Sequence, residues 1–466
     1  MSENKKLECG LISPDAKTVI VSAVLETVGQ VRFGDGTEVN LTVTEKDLVP
    51  TPGGGFVEKV VFSGSKRRGV DRRTIHALRN QMVGKNEKDQ DQVPRFDCYI
   101  PALCSECPTC WLYGSVGAVG EAAKKKNYNI KSRVLYASAL SVEPSDIAVA
   151  VHNRNAPNEL DHTTGEAGIH SEELIKANVH FPTITVLDRV VDWEIGAFAH
   201  ALLENVNSNR YTAASARQGG MRFSESDGEK MIVVDVSEQG IFPLETLKVP
   251  GEETDFNKVK EMFANAGNLT HIKETFKGQG FTCEDSEDGG SEAKSGESPK
   301  DSKSGCFKVK SGETTLWTVK KENGVITVSQ VEGDKEKVLM TRYVGNRAYG
   351  FLRARQEDCK GFFEGCKDEA WRKTLTEIRK RLGMEKAPSV AALPEEVNRL
   401  IESGAQKDQV MKALKRAKLK CKEENDTFIV TKGKQEIARL TVNSDGKVQM
   451  AKEQPTGAPP EEESEE

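Results

Sequence analysis

An α+β fold is predicted for this chain of 466 residues, and three observations carry the prediction. Strand-like and helix-like patterns alternate irregularly with long polar loops between them, which does not suit a doubly wound parallel sheet. A stretch from Phe96 to Gly120 is rich in Cys, Gly and Pro, so something other than an apolar core must hold it. The C-terminal part repeats its own apolar pattern, which predicts duplicated small α+β modules.

Taken in order, residues 17–44 alternate apolar and polar positions around Gly34-Asp35-Gly36, reading as strand, turn and strand. Thr51-Pro-Gly-Gly-Gly is a loop, and Val57 to Phe62 is a short strand running into Ser63-Gly-Ser-Lys-Arg-Arg-Gly. A helix is predicted from Asp71, which can cap it, with Ile75, Leu78 and Met82 at helical spacing. Strands follow at 133–142 and 148–151, then a polar loop from His152 to about Gly168. The strand Val179 to Asp188, a helix from Trp193 to Glu204 and the strand Met231 to Val236 complete a first domain, 1–252.

Beyond it, Val259, Phe263, Ile272, Phe276, Phe281 and Cys283 match Val397, Ile401, Val410, Leu414, Leu419 and Cys421 at one constant offset. Each cysteine precedes a β-meander, Phe307-Lys-Val309 in one copy and Phe428-Ile-Val430 in the other. The predicted modules are 253–330, with a Gly/Ser/acid insertion at 284–305, and 389–452, each reading helix, helix, three strands. Residues 331–388 are expected to connect them. The insertion and the acidic tail 453–466 carry too little apolar surface to fold, so both are expected to be disordered.

Charge narrows the function classes. Lys and Arg number 66 against 72 Asp and Glu, a net charge of -6, so no global basic field announces nucleic acid. The acids crowd into a few segments, however, and leave basic clusters elsewhere. Charged residues reach 30% and mean hydropathy is -0.53. No apolar run approaches the ~20 residues of a membrane span, and the first residues lack a signal-peptide core. A cytoplasmic protein without membrane contact is expected. Ten cysteines are too few for a disulfide scaffold in a chain this long.

Cys98, Cys104, Cys107 and Cys110 form a C-x5-C-x2-C-x2-C pattern followed by Trp111 and Gly114. Thiolates at C-x2-C steps can meet one tetrahedral ion, so a structural zinc site is expected, with His76 an alternative to Cys98. Unliganded thiols or a redox pair at Cys107 and Cys110 are the rivals; no βαβ context favours the second. Lys66, Arg67 and Arg68 lie in a Gly/Ser loop, with Arg72, Arg73 and Arg79 after them; taken alone the run is more often a solvated surface, and the functional reading is a phosphate-contacting loop. Arg210, Arg217, Gly219 and Gly220 repeat cations beside glycines, and Tyr211 could stack on a base. Phosphate-loop, zincin and nucleophile-elbow motifs are absent. His152, His162 and His170 share the polar loop with Asp161 and Glu166, a pattern that suits a solvent- or nucleic-acid-facing loop better than an acid–base site.

Several stretches, read in order, are similar to a known family. They are Phe62-Ser-Gly-Ser-Lys-Arg-Arg, Cys104-Ser-Glu-Cys-Pro-Thr-Cys-Trp-Leu-Tyr-Gly, Lys131-Ser-Arg-Val-Leu-Tyr-Ala-Ser-Ala-Leu-Ser-Val-Glu, Val151-His-Asn-Arg-Asn-Ala and Phe181-Pro-Thr-Ile-Thr-Val-Leu, with Asn209-Arg-Tyr beyond. From about residue 15 to 245 the chain resembles the backbone subunit of type I-D CRISPR Cascade complexes, in the RAMP superfamily. The resemblance implies a modified RRM (ferredoxin-like) palm, with a zinc-bearing finger at about 96–120 and a thumb at about 152–168 including His152, Asn153 and Arg154. It implies an RNA-binding subunit that polymerises as copies of itself along the CRISPR RNA, supports the target DNA strand and joins other Cascade subunits. Lys66, Arg67, Arg68, Arg72, Arg73, Arg133, Arg210, Tyr211, Arg217, Gly219 and Gly220 are the expected RNA contacts. No catalytic residue is implied; a metal-dependent RNA-cleaving relative of type III complexes, using Asp146, Asp161 or neighbouring His residues, is the alternative.

Overall fold

The computed structural model describes residues 8–38, 41–51, 53–83, 98, 103–115, 129–154, 168–212, 219–247, 255–286, 304–333, 335–366, 368–383, 395–417, 419–424, 427–432, 435–443 and 445–450. The expected disorder at 284–305 and in the tail falls largely outside them.

The chain opens with a long strand, Lys17–Val28 (β1), whose side chains from Val19 to Leu25 are buried on both faces, as in a central strand. Next come Gly34–Glu38 (β2), Leu41–Thr44 (β3), Lys46–Pro50 (β4), Phe56–Phe62 (β5) and the helix Gly64–Val83 (α1). A short helix, Pro108–Tyr113 (α2), precedes Val134–Tyr136 (β6), Ala139–Leu140 (β7), Ile147–Arg154 (β8), Gly168–Ile175 (β9) and His180–Val190 (β10). The helix Asp192–Asn207 (α3) leads to Gly220–Phe223 (β11), Glu225–Ser226 (β12), Glu229–Lys230 (β13) and Ile232–Ser237 (β14).

The order β14-β1-β10-β6 is antiparallel throughout, with α1 between β1 and β6 in the chain and α3 between β10 and β14. β8 and β9 form a hairpin that pairs on through β3 to β2, while β4, β5 and β7 make a third sheet. Two local expectations change. Gly34-Asp35-Gly36 is a bulged part of β2 and not a turn. The helix expected from Asp71 starts seven residues earlier at Gly64, so the basic run lies in its first turns and Asp71 in its interior. Gly64 is required there: a Cβ would stand 2.7 Å from the Tyr136 carbonyl oxygen.

The next elements are Phe256–Ala266 (α4), Leu269–Gly278 (α5), Thr282–Asp285 (β15), Ser304–Ser311 (β16), Thr314–Glu322 (β17), Val325–Glu332 (β18), Lys335–Val344 (β19), Asn346–Gly365 (α6) and Asp368–Arg381 (α7). Residues 331–388 therefore do not simply connect two modules. β19 pairs with β18 on one side and β14 on the other, so the first module and the first domain share one ten-stranded sheet. Arg342 of β19 faces Asp235 of β14 across the seam, donating from Nε at 2.6 Å and Nη2 at 2.9 Å, with both side chains buried. On the helical side α6 packs along α3, where Phe362 stacks on Trp193 at 3.8 Å.

Residues 379–466 form a second unit, with Glu395–Glu402 (α8), Lys407–Arg416 (α9), Lys420–Glu424 (β20), Thr427–Lys432 (β21), Gln435–Val442 (β22) and Val448–Met450 (β23). The repeat is visible in three dimensions: two helices precede a four-stranded antiparallel meander in both copies, one strand more than expected. Ile272 and Phe276 are buried in the first copy's core as Val410 and Leu414 are in the second's.

Candidate functional site

The cysteine cluster is assembled by a short helix and the backbone around it. Pro108 suits the first turn of α2, because it has no N–H to leave unsatisfied there. Trp111, Leu112 and Tyr113 bury the rest of that helix, and Gly114 ends it at φ +83°, where a Cβ would meet the Ser132 nitrogen at 2.8 Å. Cys107 and Cys110 are thereby fixed and buried, and the four Sγ atoms of Cys98, Cys104, Cys107 and Cys110 all lie within 4.8 Å of one another. Three of the separations are 3.5 Å (Cys98–Cys110), 3.8 Å (Cys104–Cys110) and 3.8 Å (Cys107–Cys98). A tetrahedron of sulfurs at ~2.3 Å from a zinc ion has edges of ~3.8 Å, so the set fits that ion. None of the four is in a disulfide.

Donors from the backbone and from Arg72 surround the sulfurs, while burial pushes the Cys107 thiol up. The Cys104 sulfur accepts from the backbone N–H of Glu106 at 3.4 Å and Cys107 at 3.2 Å, and Cys98 from that of Cys104 at 3.5 Å. Arg72, reaching from α1, donates to Cys110 at 3.0 Å and Cys98 at 3.8 Å while holding the Gly114 carbonyl at 2.5 Å. Hydrogen bonds from Cys104 and Cys107, with the Arg72 charge adding less, draw the Cys110 thiol down to about 7. The loop is also held from far along the chain. The fully buried Trp371 of α7 donates its indole N–H to the Glu106 carbonyl at 2.6 Å. Nothing in the sequence links position 371 to the cysteines.

The expected RNA contacts divide sharply. Arg67 is 3% exposed; it donates to the Ala137 carbonyl and lies over the rings of Phe62 and Tyr136. Arg72 is 7% exposed and serves the cysteines. Arg133, at 5%, forms a two-pronged ion pair with Glu194 and donates to the carbonyls of Trp111 and Arg189 at 3.1 and 2.7 Å. Tyr211, at 2%, donates to Asp71 at 2.7 Å and presents no face for a base. Its acceptor is a fully buried carboxylate that also receives Asn205 at 2.8 Å and the Tyr136 hydroxyl. Burial pushes Asp71 above the usual carboxylate range, against the pull of these hydrogen bonds and of Arg67. These four side chains are internal scaffolding, a correction to their expected contact role.

Arg68 and Arg73 are exposed on α1 and Lys66 is half-buried beside them, its ammonium 5.6 Å from the Phe33 ring. The Arg73 guanidinium lies so close to Gly69 that a Cβ there would be 3.6 Å from it. Arg210 is exposed but paired with Glu204 at 3.3 Å. Gly219 and Gly220 do not open a phosphate loop: a Cβ on Gly219 would meet the Val28 oxygen at 1.9 Å, and one on Gly220 the Asn209 amide at 1.7 Å. Gly219 lets the chain pass close to the end of β1, and Gly220 leaves room for the Asn209 amide. His152, Asn153 and Arg154 belong to β8 and pair in register with His170, Ile169 and Gly168, so the expected loop is paired strand at these positions. Arg217, Asp161, His162 and Glu166 lie outside the described residues. Asp146 is exposed and paired with Lys176 at 2.5 Å, and among the described residues it belongs to no cluster of three or more metal-ligating side chains.

A second polar cluster escaped the sequence. His180 approaches Glu143 at 2.7 Å and Glu26 at 3.3 Å and stacks on Phe256 at 3.6 Å. Burial pushes Glu143 up, but hydrogen bonds from the His180 ring and backbone outweigh it and hold the carboxyl below its usual range. Its contribution to stability is therefore present above the ordinary glutamate range of about 4.3 and fades as pH falls through its lowered value. In an acid titration of melting temperature, Glu143→Gln should flatten the loss seen below about pH 4.3; an unchanged curve would remove the cluster from the account.

A family model described as Csc2 Crispr matches residues 36–237, a stretch that includes α1, the four cysteines and the β8–β9 hairpin. The crystal structure of Thermofilum pendens Csc2 is similar at 15% identity and a TM-score of 0.38, covering 83% of this chain and 94% of that one. A chain of a type IV-B CRISPR complex is similar at 14% identity and a TM-score of 0.30, covering 50% of this chain and 95% of that one. A chain of a CRISPR RNA-guided surveillance complex shows 14% identity and a TM-score of 0.28, covering 55% and 84%. No curated protein matches. No helix among the described residues is long and apolar enough to cross a membrane.

Proposed function

We infer that this chain, Csc2-like over residues 36–237, is a CRISPR RNA-binding backbone subunit of a Cascade-type surveillance complex of the type I-D kind. The family match carries the reading. The chain order β1-α1-β6-β10-α3-β14 with the sheet order β14-β1-β10-β6 suits a modified RRM palm. The cysteine loop then serves as a zinc-bearing finger and the β8–β9 hairpin as a thumb. Copies of the subunit line up along the guide in the cytoplasm, support the target DNA strand and join other Cascade subunits. The subunit is non-catalytic: base pairing supplies specificity, and the protein supplies cations for the phosphates.

Only cations that reach solvent can do this, so the guide contact falls to Lys66, Arg68 and Arg73 on α1. Replacing the three by alanine should weaken binding equally for unrelated guide sequences, lowering the log–log salt slope by about 0.7 per lost contact. Arg67→Ala should instead lower the melting temperature and leave the slope unchanged. A loss confined to one guide sequence would overturn the assignment. Sequencing the RNA that co-purifies with the tagged protein tests the reading itself: small RNAs of uniform length are expected. Single-turnover cutting of guide-matched RNA would replace it by the RNA-cleaving type III-like alternative.

A further inference from the structure

Outside the surfaces already described, a cleft of about 490 Å³ opens between β13, the α4–α5 junction, the β17–β18 turn and the first turn of α6. Four cations line it, Lys230, Lys260, Lys321 and Arg347, against two carboxylates, Asp227 and Glu229. Two of the charges are already spent locally. Glu229 accepts the Asn346 N–H at 2.6 Å and so caps α6, and Lys230 is paired with Glu225 at 2.8 Å. Lys260 rests against the Phe256 ring at 4.6 Å. Among the described residues, neither Lys321 nor Arg347 has a carboxylate within ion-pair distance.

The internal repeat shows that the fold does not need a cation here. In the first module Phe307 pairs with Val319, and in the second Phe428 pairs with Leu440, so Val319 corresponds to Leu440 and Lys321 to Val442. The next strand agrees, since Lys321 faces Ile326 as Val442 faces Val448. Val442 packs against the second module's core. The first module sets a lysine at the same place, opposite an Ile326 that is fully buried. Beside it, the Asn323–Gly324 turn has both residues at positive φ, +51° and +76°, and packs on Arg347: a Cβ on Gly324 would stand 3.3 Å from the Arg347 Cγ. The arginine stem is thus held against the turn, and Arg347, Lys321 and Lys260 line the same cleft.

We propose that this cleft binds the phosphodiester backbone of a nucleic-acid strand, as a second contact separate from α1. Uncompensated lysine and arginine in one concave site match phosphate oxygens, and arginine can take two of them at once. The choice of a nucleic acid as the source of phosphate rests on the RNA-binding function inferred above.

The test uses the full-length chain and the double variant Lys321→Val, Arg347→Gln. Valine is the residue the second module already carries at this place, so the variant should melt like the parent. Binding of a labelled single-stranded RNA is measured across a salt series, beside the α1 triple variant. The log–log slope should fall by about 1.4 in the double variant, two contacts at about 0.7 each, and fall independently in the α1 variant. If the α1 variant loses affinity while the double variant binds as the parent does, the cleft proposal is wrong and the RNA-binding function stands. If the parent binds no RNA, that function fails and the cleft is read with inorganic phosphate alone. A phosphate-dependent rise in melting temperature seen only in the parent then keeps a phosphate site, and equal melting overturns it.

Discussion

Deleting residues 255–466 is expected to yield an insoluble chain. The repeat viewed as sequence suggests the opposite, that two appended modules can be removed from an RNA-binding core. The sheet shows why they cannot. β14, buried along its whole length, would lose its partner β19 and present an apolar edge to solvent. Asp235 would stay buried without Arg342, and Trp193 would lose the Phe362 ring stacked on it. A point variant isolates the electrostatic part: Arg342→Ala should cost about 3–5 kcal/mol in urea unfolding, because it strands a buried charge. Replacing both partners with apolar residues, Asp235→Leu with Arg342→Met, should recover most of that loss. Truncation after Gly383 is a different matter, since the second unit begins near there, and residues 1–383 should stay soluble and keep the cysteine centre. A soluble 1–254 fragment with a cooperative melt would refute the shared-sheet account.

Loss of the metal should have the second large effect. Protein prepared under reducing conditions is expected to contain one zinc per chain, held by Cys98, Cys104, Cys107 and Cys110. Cys107→Ser with Cys110→Ser should abolish it. Structural zinc in small finger peptides contributes about 10–16 kcal/mol of apparent folding free energy at pH 7, here confined to a loop around α2. Chelation should therefore loosen the cysteine loop and leave the rest of the first unit folded. Two of the four tryptophans report on it, Trp111 inside α2 and Trp371 through its bond to the Glu106 carbonyl. Their emission should shift to the red on chelation and return when zinc is added back. Metal analysis that finds no zinc, or an emission spectrum indifferent to chelator, would rule the site out.

The buried ion pairs explain how the two effects connect. Arg72 joins α1 to the cysteines, Arg133 joins the strand region after the finger to α3 through Glu194, and Trp371 brings α7 to the same loop. Cys9 sits against the Arg133–Glu194 pair as well; burial first, then the Glu194 charge, pushes its thiol up to about 12, so it stays a protonated packing group. The cysteine loop and α2 are thus held by side chains from three distant parts of the chain, Arg72, Arg133 and Trp371.

What the sequence determined by itself is whatever depends on local spacing or on repetition. Four cysteines in one short stretch can meet a single ion almost however the rest folds. A constant offset between apolar positions predicts equivalent packing, which Ile272 and Val410 or Phe276 and Leu414 display in their separate cores, whereas Val259 packs on Val24, Met231 and Val233 and its counterpart Val397 in its own module. The tertiary structure alone decided where long side chains end. Lys66, Arg67, Arg68, Arg72 and Arg73 are indistinguishable as a run of charge. Helix phase turns Arg67 toward Phe62 and Tyr136 and Arg72 toward the sulfurs, while Arg68 and Arg73 face water. Likewise β19 reads as part of a connector, because the strand that completes its pairing, β14, lies about a hundred residues earlier and leaves no local periodicity to reveal it. A guanidinium spans several ångströms from its backbone, so its role is fixed by partners remote in sequence, and only folding brings them within reach.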